Sequence, residues 1–446
     1  MTTAAHAVTP QGLSSSALMA VLACLPLGWI QIVALGDFDL TLPYAMTLLL
    51  GVTMLFRFRR SAMALRDLVG RMAPFLTVYV FYLLILALSV AGMPSKGIVV
   101  RQAFFLICGM TVASSVIALG ANARTMRRGG AFAIFGFLAV TEYYARQNGL
   151  SWLIALERFV SSGDLNFIVY QFFREIFRTA QSGGSEVAAS LKNAVAVGLF
   201  TAMVIFRASH ERAVIDRRGQ AITVLALVVL VLLNTRSVLL IAAAALPMAA
   251  AIAAIRRPQH SANRLVLKSL LFLAGLVTVL IILSADTAAI ARLEDRFAFG
   301  DNSVGGRFQQ IEMALAGIEQ NILFGSGLQE FDGQLVHNLF LGAWLHAGLG
   351  AFLLVAVAYL AMLGAWGAFV FRIVTQRDAW VLPLRVEWVA VLPLLPLFRV
   401  WIAGDAGHPD FSGWIAIFAF FAITVVNEKT RYKGHCPITQ TTAVAA

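Results

Sequence analysis

Charge is scarce in this sequence. Only 13% of its 446 residues are Asp, Glu, Lys or Arg, about half the roughly 25% of water-soluble domains, which excludes a globule with an ordinary polar surface. Acidic residues are the scarcer kind: 23 Asp and Glu against 34 Lys and Arg leave a net charge of +11. Cysteine is nearly missing. Cys24 and Cys108 lie within apolar runs and Cys436 near the C-terminal end, with neither metal-ligand spacing nor a disulfide framework. No basic stretch precedes the first apolar run, so that run reads as a retained helix and not as a cleaved signal.

What is abundant is apolar sequence, 60% of the chain at a mean hydropathy of +0.82. A bilayer core takes about 20 apolar residues per helix, so the length is used up in spans and no separate soluble domain fits. The expected fold is one all-α integral membrane domain over 1–446. Apolar runs near 16–35, 40–56, 73–91, 99–119, 131–144, 188–206, 221–235, 237–255, 265–284, 348–371, 383–402 and 411–427 give about twelve transmembrane helices.

Counting from an N-terminus on the inside, the inner loops collect the basic residues. They hold Arg57, Arg59, Arg60, Arg66 and Arg71; Arg124, Arg127 and Arg128; Arg207, Arg212, Arg217 and Arg218; Arg256, Arg257, Arg264 and Lys268; Arg372 and Arg377; and Lys429, Arg431 and Lys433. This is the positive-inside bias, and it predicts both termini in the cytoplasm. It also accounts for the net charge without nucleic acid as a partner.

Two outer segments are long, 145–187 and 285–347. The first interleaves Trp152, Leu153, Leu156, Phe159, Phe167, Phe172, Phe173, Ile176 and Phe177 with Arg146, Arg158, Arg174 and Arg178. This mixture predicts short amphipathic helices in the headgroup region, with Arg174 and Arg178 within reach of phosphates. In the second, Phe308, Ile311, Leu315, Ile318 and Ile322 recur at helical spacing behind Gly305 and Gly306, and Gly325-Ser326-Gly327 ends the stripe in a turn.

The candidate chemistry sits at the edges of these loops. His337 stands where the second loop turns into a helix, and the positive end of a helix dipole biases an imidazole toward its neutral, proton-accepting form. A lone histidine there also serves simply as a cap. His346, nine residues on, is half a turn out of phase, which argues against a dihistidine metal site. Arg236, in the short outer break Asn234-Thr235-Arg236-Ser237, must snorkel, pair or line a polar cavity. Arg307 follows the glycine pair. Arg399 and Arg101, near the outer ends of their spans, are further candidates, although snorkelling to headgroups is the simpler role for both.

These pieces together resemble a known family. A short outer turn with TRS, then GGRF, FGSGLQEF and HNLFLGAWLHAGLG, in that order and on one side of the membrane, is similar to the O-antigen ligase and Wzy-type polysaccharide polymerase superfamily. The motifs cover about 234–350. The resemblance implies a GT-C-like bacterial inner-membrane glycosyltransferase working at the periplasmic face on a glycan linked to undecaprenyl diphosphate. It implies His337 as the catalytic base, Arg236 and Arg307 on the substrate diphosphate, and the helix half after the histidine beside the active cavity. Two guanidinium groups offset the charge that develops on the leaving diphosphate, so neither a metal nor another cofactor is required.

A polymerase would pass the chain to an acceptor glycan, and the long segment 145–187 would hold that second lipid-linked chain. A ligase would pass it to lipid A-core. A chain-length regulator and a flippase of the same pathway are the expected protein partners, beside the lipid bilayer itself. A transporter or lipid-linked glycan flippase is the alternative of a different class, but such carriers show two related halves, and none is visible here.

Overall fold

The computed structural model describes residues 10–35, 38–89, 97–162, 167–180, 185–210, 217–233, 235–256, 302–327, 338–402 and 411–435. Among these the fold is almost wholly helical. Helices α1 (Pro10–Cys24), α2 (Leu42–Leu55), α3 (Phe58–Ser89), α4 (Gly97–Ala118) and α5 (Ala123–Gln147) come first. The short α6 (Trp152–Ser162) and α7 (Phe173–Ala180) follow, then α8 (Ser185–Ala208), α9 (Arg217–Leu233) and α10 (Arg236–Arg256). The last are α11 (Asn302–Gln320), α12 (Leu339–Thr375), α13 (Val386–Val391), α14 (Leu394–Ile402) and α15 (Phe411–His435).

Five described helices are long and apolar enough to cross a membrane: Phe58–Ser89, Val99–Ala118, Ser237–Arg256, Leu339–Thr375 and Phe411–Tyr432. They fit an all-α, multi-pass membrane protein. The other expected spans among the described residues also fall on helices, but shorter or less apolar ones, while the run 265–284 lies outside the described residues. Near the first expected span the chain departs from helix. After Cys24 it makes one tight turn at Leu25–Leu27 and then an antiparallel ribbon, β1 (Gln31–Leu35) with β2 (Phe38–Thr41). Ile32 and Val33 are β-branched and suit this extended backbone, though they read as the tail of a span in the sequence.

Local sequence sets the element ends. Asn122 accepts a hydrogen bond from the Thr125 amide at 3.1 Å and so caps α5. In α3 the buried positions Ala64, Leu68, Met72, Phe75, Tyr79, Tyr82 and Leu86 recur at three or four residues and face α4 and α12. On α8, Gly198 lies so close to the Leu25 turn that a Cβ would stand 2.3 Å from the Leu25 carbonyl oxygen. Only hydrogen fits between them.

Four of the arginines assigned to inner loops, Arg71, Arg256, Arg372 and Arg431, gather at one end of the bundle. Arg71 on α3 and Arg372 on α12 both reach Glu428 Oε1 on α15, at 3.1 and 3.2 Å, and Lys429 pairs with Asp67. Arg431 approaches Asp378 at 3.4 Å, and Arg256 at the end of α10 donates to the Ile373 carbonyl. Next to them, buried Asn427 holds the connection after α12: its Oδ1 accepts from the amide of Val381 at 2.9 Å and its Nδ2 donates to the Ala379 carbonyl at 2.8 Å. Asn427→Ala strands these buried backbone groups, so we expect a loss of about 1–3 kcal/mol. A denaturation midpoint in detergent reads it; an unchanged midpoint would show the connection to be held by other contacts.

Candidate functional site

Helix α12 is not one rod. Gly348 takes φ 81° and ψ −177° in its middle, a conformation open essentially to glycine alone. The rings of Phe340 and Tyr359 meet at 5.6 Å and those of Trp344 and Phe352 at 4.9 Å. In a straight helix residues 19 apart would stand about 28 Å from each other, so the first arm, 339–347, is folded back along the second. The run beginning at Leu339 therefore starts inside the bundle and climbs to the reversal at Gly348.

The turn Phe324-Gly325-Ser326-Gly327 straps this reversal. The Ser326 amide donates to the Leu345 carbonyl at 2.7 Å, the Leu349 amide to the Ile322 carbonyl at 3.0 Å, and Trp344 Nε1 to that same carbonyl at 3.0 Å. Buried His346 places Nδ1 2.8 Å from the Gly327 carbonyl oxygen. It is part of the strap. Two of the sequence motifs, FGSG and HAGLG, are thus two sides of one structural joint.

Helix α11 lies on the first arm through Ala314 and Ile318 against Leu341, Trp344 and Leu345. The stripe expected from sequence is displaced here. Leu315 and Ile322 are exposed, and it is Ala314, small enough to allow close approach, that packs. Leu323 and Phe324 at the loop tip are exposed as well.

Asn338 caps the first arm, its Oδ1 accepting from the amides of Phe340 at 2.9 Å and Leu341 at 3.1 Å. His337 is the residue before this cap and lies outside the described residues. The capping role weighed for His337 therefore belongs to its neighbour. Below Phe340, Tyr359 belongs to a buried polar group with Tyr79, Tyr82 and Gln102, in which the Tyr79 hydroxyl bonds Gln102 Oε1. The Tyr359 hydroxyl is buried with no hydrogen-bond partner among the described residues. This group was missed in the sequence, although tyrosine and glutamine inside apolar runs were the available signal.

Arg236 is the first residue of α10, and Leu239 donates its amide to the Thr235 carbonyl at 3.0 Å as the opening helical bond. Arg307 lies in the first turns of α11. The side chains of both are outside the described part. Arg399 is buried, not snorkelling: its Nε donates to Ser237 Oγ at 3.3 Å, which brings it to the start of α10 beside the Thr-Arg-Ser turn. The bond from Arg256 to Ile373 joins the ends of α10 and of the second α12 arm at the arginine cluster, and the Gly348 reversal lies at the other end of that arm. Arg101 is half-buried on α4, next to Gln102.

The described residues of 145–187 include short helices, as expected, but their aromatic face is turned into the protein. Phe173 stacks on Phe137 of α5 at 6.5 Å, Phe177 meets Trp29 at 5.3 Å, and Trp152 meets Phe172 at 4.7 Å. Glu142 fastens the first of them, accepting from the Trp152 amide at 2.8 Å and from Arg146 Nε at 2.7 Å. Leu153, Leu156 and Arg174 remain exposed; the side chain of Arg178 lies outside the described part. Helix α7, which carries Arg174 and Arg178, packs on α5 and α8.

No group of three or more metal-ligating side chains occurs among the described residues. Searched against protein-family models and curated proteins, the chain matches neither a family nor a relative.

Proposed function

We infer that the chain is a membrane glycosyltransferase that moves a glycan from undecaprenyl diphosphate to an acceptor hydroxyl at the periplasmic face of a bacterial inner membrane. The observation that carries this reading is the hairpin in α12. The described half-helix begins within the bundle at its cap, Asn338, and the base is assigned to the residue before that cap, His337, since charge interactions are strong where water is limited. A buried arginine, Arg399, adds to the support, since it brings a guanidinium to the start of α10 beside the Thr-Arg-Ser turn.

The reaction follows from these groups. The acceptor hydroxyl attacks the anomeric carbon, the bond from that carbon to the diphosphate oxygen breaks, and the acceptor proton passes to His337. Undecaprenyl diphosphate leaves with the bonding electrons, its oxygens held by Arg236 and Arg307 in bidentate fashion, with Arg399 supporting Arg236. The guanidinium groups meet the charge that a divalent ion would otherwise meet.

The acceptor is read first as a second lipid-linked glycan, which makes the protein a polysaccharide polymerase; the exposed Leu153, Leu156 and Arg174 offer it an apolar and basic surface. Given both acceptors, the reconstituted protein should lengthen lipid-linked chains. Transfer onto lipid A-core alone would make it a ligase, and movement of the lipid-linked glycan across the bilayer without any new glycosidic bond would make it a flippase.

A further inference from the structure

At the arginine-rich end, α3, α12, α15 and the connection after α12 enclose a pocket of about 250 Å³. Its charged lining is Arg71, Arg372, Arg431 and Glu428; Thr424 and Asn427 also line it, and the rest of the wall is apolar, with Ala365, Phe369 and Ile373 among the residues that form it. Three guanidinium groups face one carboxylate. A single oxygen of that carboxylate, Glu428 Oε1, already receives both Arg71 and Arg372, while the partner of Arg431, Asp378, stands outside the lining and is 78% exposed. Among the described residues, the lining thus carries three guanidinium groups and one carboxylate.

The pocket's surroundings indicate what it takes. On α12, Leu353, Val357, Leu360 and Phe371 are all exposed, at intervals that return to one face, since 18 residues make five turns. This apolar stripe runs down the membrane-crossing arm to Phe371, about 100° around the helix from Arg372, with exposed Ala368 of the pocket lining between the two faces. An anionic head with apolar tails matches both features, and basic pockets between membrane helices are suited to such heads.

We propose that this pocket binds the phosphodiester head of an anionic glycerophospholipid, with the acyl chains along the α12 stripe. It is independent of the transferase reading, since it lies at the opposite end of the bundle. The bound phosphate bridges Arg372 and Arg431 and so joins α12 to α15, adding to the hold that Glu428 provides.

Titration of the detergent-purified full chain with dioleoylphosphatidylglycerol and, separately, dioleoylphosphatidylcholine, read by native mass spectrometry, tests the proposal. Phosphatidylglycerol should bind more tightly, and Arg372→Gln or Arg431→Gln should each weaken it by about fivefold while leaving phosphatidylcholine unchanged. Glu428→Gln decides between a lipid site and a mere ionic latch. Removing that carboxylate should tighten phosphatidylglycerol binding; weaker binding with an equal fall in thermal midpoint in both lipids would overturn the proposal. Equal binding of the two lipids would also overturn it. Displacement of phosphatidylglycerol by millimolar inorganic phosphate would assign the pocket to a soluble anion and reject the lipid.

Discussion

His337→Ala should abolish transfer, lowering turnover by about 10²–10⁴, the usual contribution of a general base, while the protein folds and inserts as before. The reason lies next to it. Asn338 carries the capping hydrogen bonds of the first α12 arm, and these stay in place when the His337 side chain is removed. A structural histidine would behave in the opposite way, with a lower thermal midpoint and little change in turnover of the surviving protein. Initial rates on a lipid-linked oligosaccharide, with the midpoint measured in parallel, separate the two. Wild-type turnover in the variant would remove the base from the mechanism.

Gly348→Ala should be nearly as damaging, by a different route. Its backbone lies where a side chain is strained at about 1–3 kcal/mol, and a Cβ would stand 2.1 Å from the Leu323 carbonyl oxygen. Neither the strap nor the reversal can give way without the other, so the summed cost should exceed about 3 kcal/mol. We expect loss of folded protein or, where it survives, loss of transfer. Gly350 supplies the control: a Cβ there meets nothing within 4 Å, and alanine should be neutral or stabilising by about 0.5–1 kcal/mol. Thermal midpoints of the two variants in one detergent check this. Equal midpoints would mean that α12 is not folded back at Gly348.

How much of this was legible beforehand depends on what holds each element. The long apolar helices α3, α4, α10, α12 and α15 follow from hydropathy alone, because in lipid a helix satisfies its own backbone. The gathering of Arg71, Arg256, Arg372 and Arg431 was visible as loop charge, although the shared Glu428 oxygen was not. The break after Cys24 was hidden, since Gln31–Leu35 is as apolar as the helix before it and differs only in β-branching. The reversal at Gly348 was hidden too, because a single glycine in HAGLG leaves helical periodicity intact on both sides. Its signal was distributed: FGSG and HAGLG make sense only as a pair.

The candidate site divides in the same way. Residue types in the second loop and in the short Thr-Arg-Ser break pointed to His337, Arg307 and Arg236, but Arg399 was read as snorkelling until its bond to Ser237 placed it at the start of α10. In the first loop the alternation of aromatic and basic residues gave short helices correctly. It did not tell which partner the aromatic face would choose, and that face packs on α5 and Trp29 instead of lipid. Periodicity reports that a face is apolar. It does not report what covers it.

The most direct measurement is the release of undecaprenyl diphosphate by purified protein in proteoliposomes, with a lipid-linked oligosaccharide as donor and EDTA throughout. The expected result is one undecaprenyl diphosphate for each new glycosidic bond, undiminished by the chelator and lost in Arg236→Ala. Release that requires a divalent ion, or no release while the donor crosses the bilayer intact, would contradict a transferase built on arginine and histidine.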